Sequence, residues 1–229
     1  MRFWISMNKI RFDNVSKAYS GGKMALSDVS LELVEGEVTF LTGHSGAGKS
    51  SFLKLIMRDQ LASSGRITVN GVDLASIKER NLPYYRRGLG VVFQDHHLLM
   101  DRTVFENVAV PLSLIGLSDK VTARRVRAAL TIVGLEGLSK SKPVELSAGE
   151  RQRVGIARAV VMRPRVLLAD EPTGNLDPEL SLRAMELFAQ FTEIGSIVVI
   201  ASHDLPLINQ IEARVVELKE GLVIDDSRQ

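Results

Sequence analysis

The sequence predicts an α/β domain built on a mainly parallel β-sheet with helices on both faces. Two observations carry this. Short apolar runs of strand character alternate with longer stretches of helical periodicity. One run, Val38–Thr42, leads straight into a glycine-rich loop and then a helix. The chain has 229 residues, 45% of them hydrophobic, enough for one domain or one domain with an inserted lobe.

In chain order, Ile10–Val15 and Val29–Val34 read as strands, the second alternating Val29, Leu31 and Leu33 with polar neighbours. Glu35-Gly36-Glu37 reads as a turn before Val38–Thr42. A helix follows from Lys49 to Met57, with Phe52, Leu53, Leu55 and Ile56 on its apolar face. Arg66–Val69 and Leu89–Phe93 are further strands. Thr103–Gly134 reads as helical with a break at Leu117-Ser118, after which Val121, Val126, Leu130 and Val133 mark one face. A helix starts after Ser147 and ends before Pro164. Then come a strand (Val166–Ala169), a helix (Pro178–Ile194), a strand (Ser196–Ala201) and a hairpin (Arg214–Ile224) turning at Glu220-Gly221. The strand-rich first part and helical middle suggest two lobes.

Composition narrows the function classes. The net charge is +2, and Lys and Arg are spread along the chain, not gathered in the basic stripe of a nucleic-acid binder. There is no cysteine, which removes disulfides and thiolate metal sites. Met1–Ile10 lacks a signal-peptide core. The longest uncharged apolar stretch, Asn107–Ser118, is far short of the roughly 20 residues that span a bilayer. Any membrane contact is expected through a partner.

Gly43-His44-Ser45-Gly46-Ala47-Gly48-Lys49-Ser50 matches the phosphate-binding pattern G-x-x-x-x-G-K-[ST]. A triphosphate must lie close to backbone N–H groups, and glycines permit both the dihedrals and the approach. The helix that follows offers unpaired N–H groups and a positive dipole end. Lys49 is expected to reach the β- and γ-phosphates and Ser50 to ligate Mg²⁺, with Ser51 beside them. ATP and Mg²⁺ are the implied cofactors.

Val166–Ala169 ends in Asp170-Glu171, and burying two acids has a cost that capping a turn before Pro172 explains less well than a ligand does. Ligands of α/β sheets sit at the carboxyl ends of strands. Asp170 is therefore placed to hold Mg²⁺, directly or through water, and Glu171 to polarise the attacking water. His203, after the strand Ser196–Ala201, is either a donor to a γ-phosphate or a surface cap of the next helix. Gln94, after Leu89–Phe93, is either polar surface or a contact to Mg²⁺ or the attacking water.

Leu146-Ser147-Ala148-Gly149-Glu150, followed by Arg151-Gln152-Arg153, resembles the signature of ABC ATPases. Physically it is an anion site at a helix N-terminus, and Ser147 with Glu150 also fits a capping box. The resemblance spans almost the whole chain in family order: Tyr19, the phosphate loop, Gln94, the signature, Asp170-Glu171, Asn175-Leu176-Asp177 and His203. It implies one domain over residues 1–229. That domain has a RecA-like parallel core, an antiparallel β subdomain and a helical subdomain inserted at about 95–160. It implies that Tyr19 stacks on adenine, that Leu176-Asp177 cross a dimer contact, and that His203 is a switch. It also implies a homodimer with two ATP, each held by the loop of one copy and by Ser147, Ala148 and Gly149 of the other. Ala148 departs from the family's usual glycine.

Within the family, Phe93–Val104, Ser16–Tyr19 and Gly155–Val161 resemble the bacterial cell-division ATPases. That branch implies an integral membrane partner, a place on the cytoplasmic face at the septum, and control of cell-wall hydrolysis. Chains of this branch start near Met7, making Met1–Ser6 an extension or a start-site choice. Leu98, Leu99 and Met100 are expected to touch the partner; Arg124, Arg125 and Arg127 read as a solvated face or a lipid contact. The competing expectations are a lipoprotein or macrolide exporter ATPase, a DNA-repair ATPase, which would carry a long coiled-coil insertion, and a regulator without turnover.

Overall fold

The computed structural model describes residues 9–227, so Met1–Ser6 lies outside the described residues. Two sheets form the frame. Strands β1 (Lys9–Ala18), β2 (Met24–Val34), β4 (Ser64–Val69) and β5 (Val72–Asp73) make an antiparallel sheet ordered β2-β1-β4-β5. Strands β3 (Val38–Thr42), β6 (Leu89–Val92), β7 (Val166–Asp170), β8 (Ile197–Ala201), β9 (Arg214–Lys219) and β10 (Leu222–Asp226) make a sheet ordered β10-β9-β3-β8-β7-β6. All its pairings are parallel except the closing hairpin β9–β10.

Every residue of β3 and β8 is buried, which is why these strands read as unbroken apolar runs. Their alternate side chains feed two cores. Phe40, Leu167, Val198 and Ile200 face the helices α3 (Val104–Ser113), α4 (Asp119–Ile132), α5 (Ala148–Val160) and α6 (Pro178–Glu193). Leu41, Leu168 and Val199 face α1 (Lys49–Ile56) and the antiparallel sheet. Phe12 of β1 stacks on Phe52 of α1, ring centroids 4.3 Å apart, and ties the antiparallel sheet to that helix.

The register aligns the functional ends. Leu41 and Asp170 both pair with Ala201, so β3, β7 and β8 stop at one level. Val92 pairs with Ala169, which brings Gln94 to the same edge. The loop after Thr42, the acids after Ala169 and the histidine after Ala201 must therefore meet there.

Helices α3, α4 and α5 form a layer inserted between β6 and β7. Thr103 and Glu106 cap α3 reciprocally. The break between α3 and α4 covers 114–118 and includes Gly116 at φ +70°. On α4, Val126, Ala129 and Leu130 are buried, and Arg124, Arg125 and Arg127 are exposed.

The structure also departs from the pattern reading. β1 and β2 run well past the expected Ile10–Val15 and Val29–Val34, because they pair through irregular positions. Asn14 and Asp28 both sit at positive φ and are bonded to each other at 2.9 Å. β5, α2 (Leu82–Arg86) and α7 (Leu205–Ile208) are too short for periodicity to reveal.

Candidate functional site

The glycine loop is shaped by what lies behind it. Gly43 has φ +129°, and a Cβ there would stand 2.1 Å from the Leu218 carbonyl oxygen of β9. Gly48 has φ +117°, and its Cβ would stand 2.4 Å from the Ala25 carbonyl oxygen of β2. No side chain but hydrogen fits either place. Ala47 is buried, and its carbonyl accepts from the Gly221 N–H at 3.0 Å. The loop therefore rests on β2 and on the terminal hairpin.

Gly48 is the N-cap of α1 and supplies no side-chain cap, so the first-turn N–H groups face the loop's hollow without a capping oxygen. Lys49 is buried, and its ammonium donates to the carbonyls of Gly43 (2.5 Å) and His44 (3.2 Å). A fixed cation thus lies across the loop, charge-complementary to an oligophosphate. His44 Nδ1 lies 2.8 Å from the Ser45 carbonyl, within its own turn.

In front of the loop opens a cleft of 480 Å³. His44, Ser45, Gly46, Gly48, Lys49, Ser50 and Ser51 line it together with Gln94, Asp170, Glu171, His203 and Tyr19. Gly43 and Ala47 form the loop's back. The Tyr19 hydroxyl and the Ser51 Oγ are 3.0 Å apart, and the Lys17 ammonium lies 5.3 Å from the Tyr19 ring centroid. Lys23 and Ala25 also line the cleft and were missed in the sequence. Only the glycine pair Gly21-Gly22 hints at the turn that brings Lys23 back, where its carbonyl accepts from the Tyr19 N–H at 3.0 Å.

Asp170 is half-buried, and burial raises its carboxyl above the usual range against a lowering hydrogen bond from Ser50. Glu171 is only 16% exposed at its side chain, and its Oε1 lies 2.8 Å from His203 Nδ1. Its backbone is left-handed, φ +47°, a conformation costing a non-glycine residue about 1 kcal/mol or more. The Glu171 N–H donates to the Ala201 carbonyl at 2.9 Å, which holds the turn. No group of three acidic, histidine or cysteine side chains for a metal exists among the described residues. The adjoining Ser50 hydroxyl and Asp170 carboxylate nevertheless suit Mg²⁺, which takes one or two carboxylates and leaves its other positions to phosphate and water.

The signature residues are elsewhere. Ser147 caps α5, with its Oγ accepting from the Glu150 N–H at 3.2 Å. The Glu150 carboxylate accepts from the Ser147 N–H and hydroxyl, which holds it below the usual glutamate range. Ser147 and Ala148 are exposed, and a Cβ on Gly149 would stand 3.0 Å from the Asn175 carbonyl oxygen. None of the three lines the cleft. Leu176 packs against the helical core, and Asp177 caps α6.

Comparison with known proteins finds relatives that cover most of the chain. The family model of the ABC transporter matches residues 26–174. The chain is 53% identical over 212 residues to the cell division ATP-binding protein FtsE of Escherichia coli (strain K12), covering 93% of this chain and 96% of that one. It is 44% identical over 220 residues to FtsE of Bacillus subtilis (strain 168), covering 96% of each. Among solved structures, the dimer of the bacterial ABC transporter cassette MJ0796 superposes with a TM-score of 0.89 at 33% identity, covering 95% of this chain and 97% of that one. A dimer of the same cassette in a post-hydrolysis state, bound to ADP and Pi, matches with a TM-score of 0.89 at 32% identity and the same coverage. By the match to the family model and the identity to these relatives, the chain belongs to the ABC transporter family.

Proposed function

We propose that this chain is the ATP-hydrolysing subunit of a bacterial cell-division complex of the FtsE type, acting as a head-to-tail homodimer on an integral membrane partner. One observation carries the reading. The cleft gathers the glycine loop, Lys49 and Ser50 with the acids Asp170 and Glu171, while the exposed helix N-terminus at Ser147 stands outside it. A second copy related by a two-fold axis supplies Ser147, Ala148 and Gly149 to each cleft. The dimeric MJ0796 cassettes and the FtsE relatives support this.

In this reading Lys49 and the loop N–H groups hold the β- and γ-phosphates, and Tyr19 stacks on adenine. Ser50, Asp170 and Gln94 would hold Mg²⁺, which would supply charge neutralisation at the transferring phosphoryl group. Glu171 accepts a proton from the attacking water. His203, already bonded to Glu171, fixes its carboxylate and donates to the γ-phosphate. Hydrolysis removes contacts that both copies share, and the pair opens.

No described helix is long and apolar enough to cross a membrane. The proposed partner is FtsX-like, and it docks on the segment after Gln94, where Leu99 and Met100 are 44% and 49% exposed. The pair then works on the cytoplasmic face at the septum, and its cycle controls cell-wall hydrolysis.

Glu171→Gln tests the catalytic reading. ATPase activity is expected to fall at least about a hundredfold, with ATP-dependent dimerisation retained in size-exclusion chromatography. Equal rates of variant and native chain overturn it. A pull-down from detergent-solubilised native membranes tests the partner, and recovery of a solute-exporting permease in place of a division protein overturns the division assignment.

A further inference from the structure

The segment after Gln94 is built in an unusual way. His96 and His97 are consecutive and both left-handed, at φ +58° and +47°, and neither is glycine. Left-handed backbone is strained for any residue with a Cβ, and two in a row need a holder outside the segment. The holder is Arg158 of α5. Its guanidinium donates one hydrogen bond to the His97 carbonyl at 2.7 Å and another to the His96 carbonyl. Among the described residues Arg158 makes no ion pair. Burial lowers its basicity, and those carbonyl dipoles are its bonded counter-charge. The Phe93 and His97 rings, 4.6 Å apart between centroids, close the bend on its other side.

We propose that Arg158 is a positioning residue for ATP turnover, fastening the bend at His96-His97 to the helix that begins at Ser147 so that Gln94 moves with the helical layer. The inference rests on the proposed role of Gln94. The chain path supports it. Gln94 lines the cleft and lies two residues before the bend, so a shift of the bend reaches the side chain directly. Arg158 itself does not line the cleft. Ser147, at the other end of α5, is the part a second copy would engage. A rigid helix with a phosphate contact at its start and the Gln94 bend near its end links the two halves of a shared site.

The test compares Arg158→Ala, Arg158→Lys, Gln94→Ala and the Arg158→Ala/Gln94→Ala double variant, with Val160→Ala as a control that weakens the same helix. Val160 is buried in the helical core and makes none of these contacts. Arg158→Ala is expected to lower kcat about tenfold with KM for ATP within twofold, and Arg158→Lys to recover part of the loss, because a single ammonium cannot bridge both carbonyls in one plane. The double variant is expected to be no slower than Gln94→Ala alone. Amide exchange of residues 95–98 is expected to speed up at least tenfold in Arg158→Ala and not in Val160→Ala. Additive losses, a rise in KM alone, or unchanged exchange each overturn the proposal. Should Arg158→Ala not fold, Arg158→Lys carries the same readouts. Native activity in Gln94→Ala instead removes the role given to Gln94, while the exchange result still decides whether Arg158 holds the bend.

Discussion

Two loops, the phosphate loop that lines the cleft and the one that follows Gln94 away from it, are held in opposite ways. The phosphate loop is fixed from within its own motif: glycines at φ angles closed to other residues, pressed against the carbonyls of Leu218 and Ala25, with the Lys49 ammonium tying the carbonyls of Gly43 and His44. The loop from Asp95 to Thr103 contains no glycine and is fixed by side chains borrowed from the helical layer. Arg158 holds its first half. Asn107, wholly buried on α3, holds the second, accepting from the Leu99 N–H and donating to the carbonyls of Leu99, Arg102 and Thr103. A loop that must present one constant surface to phosphate carries its own constraint. A loop that must follow another part of the molecule is constrained from that part.

Substitutions that separate the two modes sharpen this contrast. The largest effect is expected at Lys49→Ala, which deletes the loop's buried cation. ATP turnover is expected to fall about a thousandfold, and a variant with native activity in a phosphate-release assay would break the reading of the loop as a cradle. Gly48→Ala attacks the backbone constraint itself. A methyl 2.4 Å from the Ala25 carbonyl oxygen forces β2 or α1 to shift, with a loss of about 3 kcal/mol in urea unfolding. Asn107→Ala leaves buried backbone groups of the second loop without partners, at about 2 kcal/mol, with binding of a fluorescent ATP analogue unchanged. Loss of nucleotide binding there would show that the two loops are not independently held. The smallest effect belongs to Ala148→Gly. The methyl is exposed on an intact capping box, so kcat is expected to stay within about threefold of the native value.

The same contrast governs what the sequence could tell. The phosphate loop was legible because its chemistry is contiguous: Gly43 to Ser50 carry the pattern and Val38–Thr42 announces the strand. The acids at 170–171 and His203 were legible because apolar runs end just before them, and register then sets their distance. Arg158 and Asn107 were not legible as holders of the second loop. Each looks like an ordinary helical residue, and each acts on a carbonyl that spacing in the chain cannot locate, in the case of Arg158 61 and 62 positions away. The tie of Arg214 to Asp226 and to the Glu32 carbonyl was hidden for the same reason. Lys23 and Ala25 enter the cleft through a turn whose only signal is two glycines. β1 and β2 exceed their apolar runs because the antiparallel pairing continues past irregular positions near Asn14 and Asp28, where alternation breaks down.

The walls behind the phosphate loop come from distant points of the chain. Residues 43–50 leave the ribosome early, yet the carbonyl that closes on Gly43 belongs to Leu218, and the N–H that holds Ala47 belongs to Gly221. A nascent chain therefore carries the nucleotide motif long before it has the support that shapes it. Competence to grip a phosphate arrives only with the closing hairpin, so an interrupted translation product holds the motif without its function.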